Sequence, residues 1–195
     1  MKRRKDSKAL GRALFAIPVV VVVGLVVFGL ASAISTQSGT LTVEAVSSGR
    51  YSPSVQLKVQ VTVGNTTRTT PYNFSLPQGQ YNVVFGNEDW YDAPPVHSVS
   101  LIGGKTAYVI GTYTPVVKAI QVTSSGFNAT TVTAKHGVTP VVWVNEGSAV
   151  EVLVVTGIGR IPLEPSQNYT QVFASRGTVE FSILNTSFSG TISCV

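Results

Sequence analysis

The sequence predicts an all-β protein, with an N-terminal transmembrane helix followed by two tandem β-sandwich domains. Three observations predict it. Residues 13–34 form one apolar run without a charge, and about 20 such residues suffice for a helix to cross a bilayer. Beyond that run, apolar and polar residues alternate with the period of two that places one strand face in a core and the other in water. No later stretch sustains a 3.6-residue period, and glycine and proline recur between the short apolar segments, as they do in sandwiches.

The flanks of the apolar run set its direction. Lys2, Arg3, Arg4, Lys5, Lys8 and Arg12 precede it, opposed only by Asp6. Excess Lys and Arg stay on the cytoplasmic side, so the rest of the chain is expected outside. Pro18 sits near the start of the run, where a helix tolerates it. The valines at 19–23 are poor helix formers in water, but lipid forces the backbone to bond internally. A retained signal anchor is the first reading. A cleaved signal peptide is the second, because Ala31-Ser32-Ala33 has the small-x-small form of a cleavage site; the run is longer than a signal core of about 7–15 residues. In a third reading the segment resembles the signal of archaeal type IV pilins. There a basic stretch is cut before a hydrophobic residue and the helix bundles into a filament. Arg12-Ala13-Leu14 or Lys8-Ala9-Leu10 would be the cut, and Gly29 and Ala33 have the spacing that lets helices approach closely.

Charge narrows the partners. The net charge of +5 resides in the first 12 residues, and eight basic and eight acidic residues remain beyond them. A neutral outer portion lacks the basic footprint that nucleic acid requires. The basic tail is a topology signal that also suits anionic lipid. Cys194 is the one cysteine, so no internal disulfide is expected; its simplest role is as a small apolar residue in a last strand. Asn65, Asn73, Asn128, Asn168 and Asn185 each begin an Asn-x-Ser/Thr acceptor, which makes them candidate N-glycosylation sites. The competing reading is that they mark Thr-rich turns.

Outside the membrane a short polar spacer leads into the first strand, where Leu41, Val43 and Ala45 alternate with polar neighbours. Val55, Leu57, Val59, Val61 and Val63 predict one long alternating strand, closed by a turn at Gly64-Asn65. Residues 80–85 and 105–113 predict two more. The segment from Thr70-Pro71 through Pro77-Gln78-Gly79 to Tyr81-Asn82-Val83 resembles PEGA and carboxypeptidase-regulatory-like modules, over residues 39–115. That resemblance implies a hairpin at Pro77-Gln78-Gly79 and a spacer or binding platform. Tyr113-Thr114-Pro115-Val116 is expected at the domain joint. Past it, Ile120-Gln121-Val122, Phe127-Asn128, the turn at His136-Gly137 and Trp143-Val144-Asn145 resemble the cupredoxin family. Phe173, Gly177, Val179, Phe181 and Gly190-Thr191-Ile192 echo its closing strands. The expected division is a cytoplasmic tail over 1–12, a signal anchor over 13–34, a spacer over 35–39, a first sandwich over 40–115 and a second, cupredoxin-like, over 116–195.

A blue-copper site takes two histidines, a cysteine and usually a methionine. No histidine follows Trp143-Val144-Asn145, the strand that would carry the cysteine reads Phe181-Ser182-Ile183-Leu184, and the sole methionine is Met1. The expected domain is therefore a cupredoxin-like sandwich without copper, and no cofactor or metal is expected. His97 and His136 have no patterned partner, and Glu146 and Glu151 read as solvated strand-end carboxylates. No zinc-protease helix, nucleophile elbow or phosphate loop occurs, so no catalytic residue is nominated. One loop concentrates chemistry. Asp89, Trp90, Tyr91 and Asp92, beside Pro94-Pro95, are the candidate contacts for a protein or glycan partner. The plainer alternative folds the aromatics over the sheet and leaves the acids in water. Residues 156–162 are expected as a glycine-containing loop.

The expected protein is a membrane-anchored, extracytoplasmic, non-catalytic binding, scaffold or accessory subunit of a cell-surface complex. Its partners are lipid, through residues 13–34, and other membrane or surface proteins including copies of itself. The main rival is a filament subunit, pilin-like or joined by strand exchange through residues 39–46; the third reading is electron transfer.

Overall fold

The computed structural model describes residues 37–49 and 53–195. The expected tail and anchor, and the start of the spacer, lie outside the described residues. Among the described residues the regular structure is all β, and no helix there is long and apolar enough to cross a membrane.

Eight strands come first: β1 (Ser38–Ser47), β2 (Gln60–Val63), β3 (Thr66–Thr69), β4 (Tyr72–Pro77), β5 (Gly79–Phe85), β6 (Tyr91–Asp92), β7 (His97–Leu101) and β8 (Thr106–Pro115). They form two sheets, ordered β4-β1-β8-β6 and β3-β2-β5-β7. The alternation read in β1 is borne out residue by residue: Leu41, Val43 and Ala45 are fully buried while their neighbours are not. They meet Val61, Val63, Val83, Phe85 and Leu101 of the facing sheet in one core. Each of these valine, leucine and phenylalanine side chains contributes about 1.5–3 kcal/mol on burial. β1 runs antiparallel to β4 and parallel to β8, so both of its edges are paired within the chain.

Two expectations in this half are corrected. The long strand through Val55 is shorter: β2 starts at Gln60, and Val55 is 54% exposed. Residues 55–59 instead cross between the sheets. Leu57 N donates to Ala45 O, while the Thr70 hydroxyl accepts from Val59 N and donates to Leu57 O. The Pro77-Gln78-Gly79 turn is also not a hairpin. β4 pairs with β1, and β5 pairs with β2 and β7, so the turn carries the chain over from one sheet to the other.

Nine strands follow: β9 (Lys118–Thr123), β10 (Gly126–Phe127), β11 (Thr131–Ala134), β12 (Pro140–Asn145), β13 (Glu151–Val155), β14 (Gly159–Leu163), β15 (Asn168–Val172), β16 (Gly177–Ile183) and β17 (Ser189–Cys194). Their sheets are ordered β10-β9-β12-β15 and β11-β17-β16-β13-β14. Their core is centred on Trp143 with Ile120, Val122, Leu153, Phe181 and Ile192. Tyr113 and Pro115, expected at the joint, belong to β8, and only Val116 and Val117 separate β8 from β9. The expected loop over 156–162 is only a three-residue turn. Val155 pairs with Gly159, and Gly159–Leu163 forms an edge strand against β13.

Candidate functional site

The nominated loop lies where the two groups of strands meet. β6 pairs with the end of β8, Tyr91 opposite Pro115 and Asp92 opposite Thr114, and Trp90 O accepts from Val116 N at 2.9 Å. Tyr91 turns onto the first core, its ring 6.3 Å from that of Tyr113. Asp89 and Asp92 stand in solvent. The plainer alternative thus describes Tyr91 and the acids. It does not describe Trp90, which is half-buried at φ +73°. That left-handed backbone costs a non-glycine residue about 1–3 kcal/mol. Trp90 lines a groove of about 420 Å³ with Val117, Lys118, Ala129, Thr131 and Thr133 from the following strands. Sequence reasoning found the loop but missed these opposing residues, because nothing in the chain brings 90 and 131 together before the fold does.

This groove continues. Thr131 also lines a larger groove of about 570 Å³ on the outer face of the sheet β11-β17-β16-β13-β14. Register explains its lining: Thr131 lies beside Thr191, Thr191 beside Glu180, and Ser189 beside Ser182. The inward residues between them, Val132, Phe181 and Ile192, fill the core. Thr156 then joins the face to a third groove of about 360 Å³, which holds Ile158, Phe173 and Arg176. The result is a shallow, hydroxyl-rich surface with Trp90 at one end and Arg176 at the other. Such a lining offers donors and acceptors to a polar, extended partner, and Trp90 offers it a flat apolar ring.

Of the positions at which the cupredoxin resemblance would seat copper ligands, Glu151 is half-buried at the start of β13 and the 181–184 strand contributes core residues; Asn145, of the Trp-x-Asn strand, has a hydrogen-bonding role. Asn145 is fully buried; its Nδ2 donates to Ala149 O at 2.8 Å and Leu163 O at 2.7 Å, and its Oδ1 accepts from Gly147 N at 2.9 Å. Phe181 and Ile183 are core residues. His136 pairs its Nδ1 with Val195 O at 2.6 Å, and His97 packs edge-on against Phe85. No group of three or more His, Cys, Asp or Glu side chains placed to hold a metal ion occurs among the described residues. Glu146 and Glu151 occupy the two ends of the β12–β13 connection.

Cys194 is 4% exposed inside the second core, beside Ala134 and Gly177. Burial raises its thiol pKa. A thiol reagent applied to the folded chain should therefore react at least about tenfold more slowly than with the denatured chain, since the thiolate is the reactive form. Rapid labelling in the native state would place Cys194 at the surface instead.

Tyr113 and Tyr91 also titrate abnormally. Desolvation raises both pKa values above 10.0, the Glu88 charge adds to this, and for Tyr91 a hydrogen bond to Ser47 acts in the opposite direction. The fully buried Tyr113 donates its hydroxyl to Gly86 O. An acid whose folded pKa lies above its unfolded value holds its proton more tightly when folded. Its stabilising contribution is therefore complete below about pH 10 and fades as pH rises through the folded pKa. The urea midpoint of the first half should fall above pH 10, and Tyr91→Phe should reduce that fall; an unchanged midpoint between pH 9 and 11 would refute it.

All five acceptor asparagines, Asn65, Asn73, Asn128, Asn168 and Asn185, are exposed. Asn73 and Asn168 lie on the edge strands β4 and β15. Asn128 directs Oδ1 to Gln121 N at 2.8 Å, which leaves Nδ2 for modification.

No protein-family model and no curated protein matches the chain. Solved structures similar to it include a purple cupredoxin from Nitrosopumilus maritimus, 15% identical, covering 40% of this chain and 99% of its own, with a TM-score of 0.35. The Bacillus anthracis TIE protein is 12% identical over 82% of this chain and 31% of its own, with a TM-score of 0.43. A shaft pilin from Lactobacillus rhamnosus GG is 13% identical over 82% of this chain and 94% of its own, with a TM-score of 0.33. The likeness is one of β-sandwich form at low identity, and none of these neighbours carries the PEGA-type reading of residues 39–115.

Proposed function

We propose that this protein is a membrane-anchored, extracytoplasmic, non-catalytic module that binds or scaffolds a polar partner at the cell surface, through two sandwiches spanning 40–115 and 116–195. The observation that carries the reading is the continuous hydroxyl-lined surface joined through Thr131 and Thr156. The second sandwich is read as cupredoxin-like without copper, because no histidine follows Asn145 and the strand that would carry the cysteine gives Phe181 and Ile183 to the core. The acceptor asparagines are read as glycosylated, which suits five exposed sites on a neutral outer portion.

The test is isolation of the tagged protein from its native membrane in mild detergent. A stoichiometric partner should co-purify, and Glu180→Arg or Thr191→Arg should release it while leaving the fold intact. Recovery of the protein alone, with both variants behaving alike, would count against the reading. A filament subunit joined by strand exchange is the second reading, favoured by β1, a strand near the chain start that fills a slot between β4 and β8. Negative-stain microscopy of surface filaments with peptide identification separates the two.

A further inference from the structure

We infer that the turn between β7 and β8 is a second, peripheral membrane contact, in which Ile102 sits among lipid headgroups and Lys105 faces anionic ones; this rests on the anchor reading above. The geometry begins with a short tether. Ser38, the first residue of β1, is four residues beyond Ile34, the end of the apolar run. Four residues span at most about 14 Å, and the headgroup layer occupies roughly 5–7 Å on each side of a bilayer.

The end of the sandwich where β1 starts is thereby held near the lipid, and the β7–β8 turn is tied to it. Gly104 N donates to Ser38 O and Thr40 N to Lys105 O, both at 2.9 Å. Glycine makes the approach possible: a Cβ on Gly103 would lie 2.4 Å from that of Gln37, and one on Gly39 would lie 2.6 Å from Ile102 O. At the tip Ile102 is 64% exposed, with no core role. An isolated apolar side chain beside a lysine suits the interface between headgroup and water.

Charge agrees. Residues 37–40, 63–66, 76–80 and 100–106, which make up this end, contain Lys105 and no carboxylate. Glu88, Asp89 and Asp92 gather at the opposite end, beside the close of β8, where they outnumber Lys58. The first sandwich therefore turns a basic tip toward the expected bilayer and an acidic one away.

The experiment uses the full chain reconstituted into vesicles of phosphatidylcholine with phosphatidylglycerol. Ile102→Cys, labelled in the folded state with an environment-sensitive fluorophore, is compared with Asp92→Cys; both positions are exposed, so neither change touches a core. Headgroup spin-labelled lipid should quench the label at 102 about threefold or more over that at 92, as contact at the interface requires. Lys105→Gln should weaken this in anionic vesicles and not in phosphatidylcholine alone. Equal quenching at 102 and 92, in a chain that resists carbonate extraction, overturns the inference and leaves the anchor standing. A chain that carbonate removes overturns both.

Discussion

Trp143→Ala is expected to destabilise the fold around the second core by about 3–5 kcal/mol. The indole is fully buried. It stands at the centre of an aromatic group, with ring centroids 6.0 Å from Tyr169, 6.4 Å from Phe173 and 5.9 Å from Phe181. Truncation removes the largest side chain of that core and leaves a cavity that three neighbouring rings, held on β15, just beyond its end and on β16, cannot close. Among the described residues the indole Nε1–H has no hydrogen-bond partner. Trp143→Phe therefore discards an unpaired donor together with part of the ring, and should cost under about 2 kcal/mol. Urea unfolding, followed by circular dichroism, measures both. A loss below 1 kcal/mol for the alanine variant would show that the core does not depend on this ring.

Asn145→Ala is expected to cost about 2–4 kcal/mol, although it removes only a few atoms. The side chain holds the β12–β13 connection at Gly147 and Ala149, and it also holds the end of β14 at Leu163. Alanine leaves Leu163 O without its partner in a place water barely reaches, and it releases Ala149 O and Gly147 N at the more open connection. Asn145→Asp keeps an acceptor for Gly147 but presents oxygen to two carbonyls, so it should be at least as damaging. Amide exchange at Gly147 should quicken in both variants. Unchanged exchange would mean that the loop is held by the backbone bonds of Asn145 to Gln167 and Ser166 alone.

Much of the fold was legible because its signals are local. The alternation at Leu41, Val43 and Ala45, and the apolar pattern around Trp143, mark inward faces whatever the partners. Pairing was not legible. Val55 continues the period of β2 yet lies outside it, since the decisive bonds come from Thr70, a residue far along the chain. Pro77-Gln78-Gly79 has the chemistry of a tight turn, and the sequence does not reveal that β1 already occupies the place beside β4. The loop at Trp90 drew notice through its composition, but the groove it completes draws on Lys118 and Thr131, unremarkable until β9 and β11 stand beside it. The hydroxyl face was invisible for a related reason. Thr131, Glu180 and Thr191 come from three strands and become neighbours only through register.

The parallel pairing of β1 with β8 bears on how the protein is made. Thr40 meets Thr106, so β1, the first described strand to be synthesised, waits for the last strand of its core. Until then Leu41, Val43 and Ala45 have no finished core to enter, and β1 offers an open edge to any passing chain. Loop closure over such a separation is slow compared with a local hairpin. The nascent chain thus passes through an interval of vulnerability to proteases and aggregation that ends only when residues 106–115 have emerged.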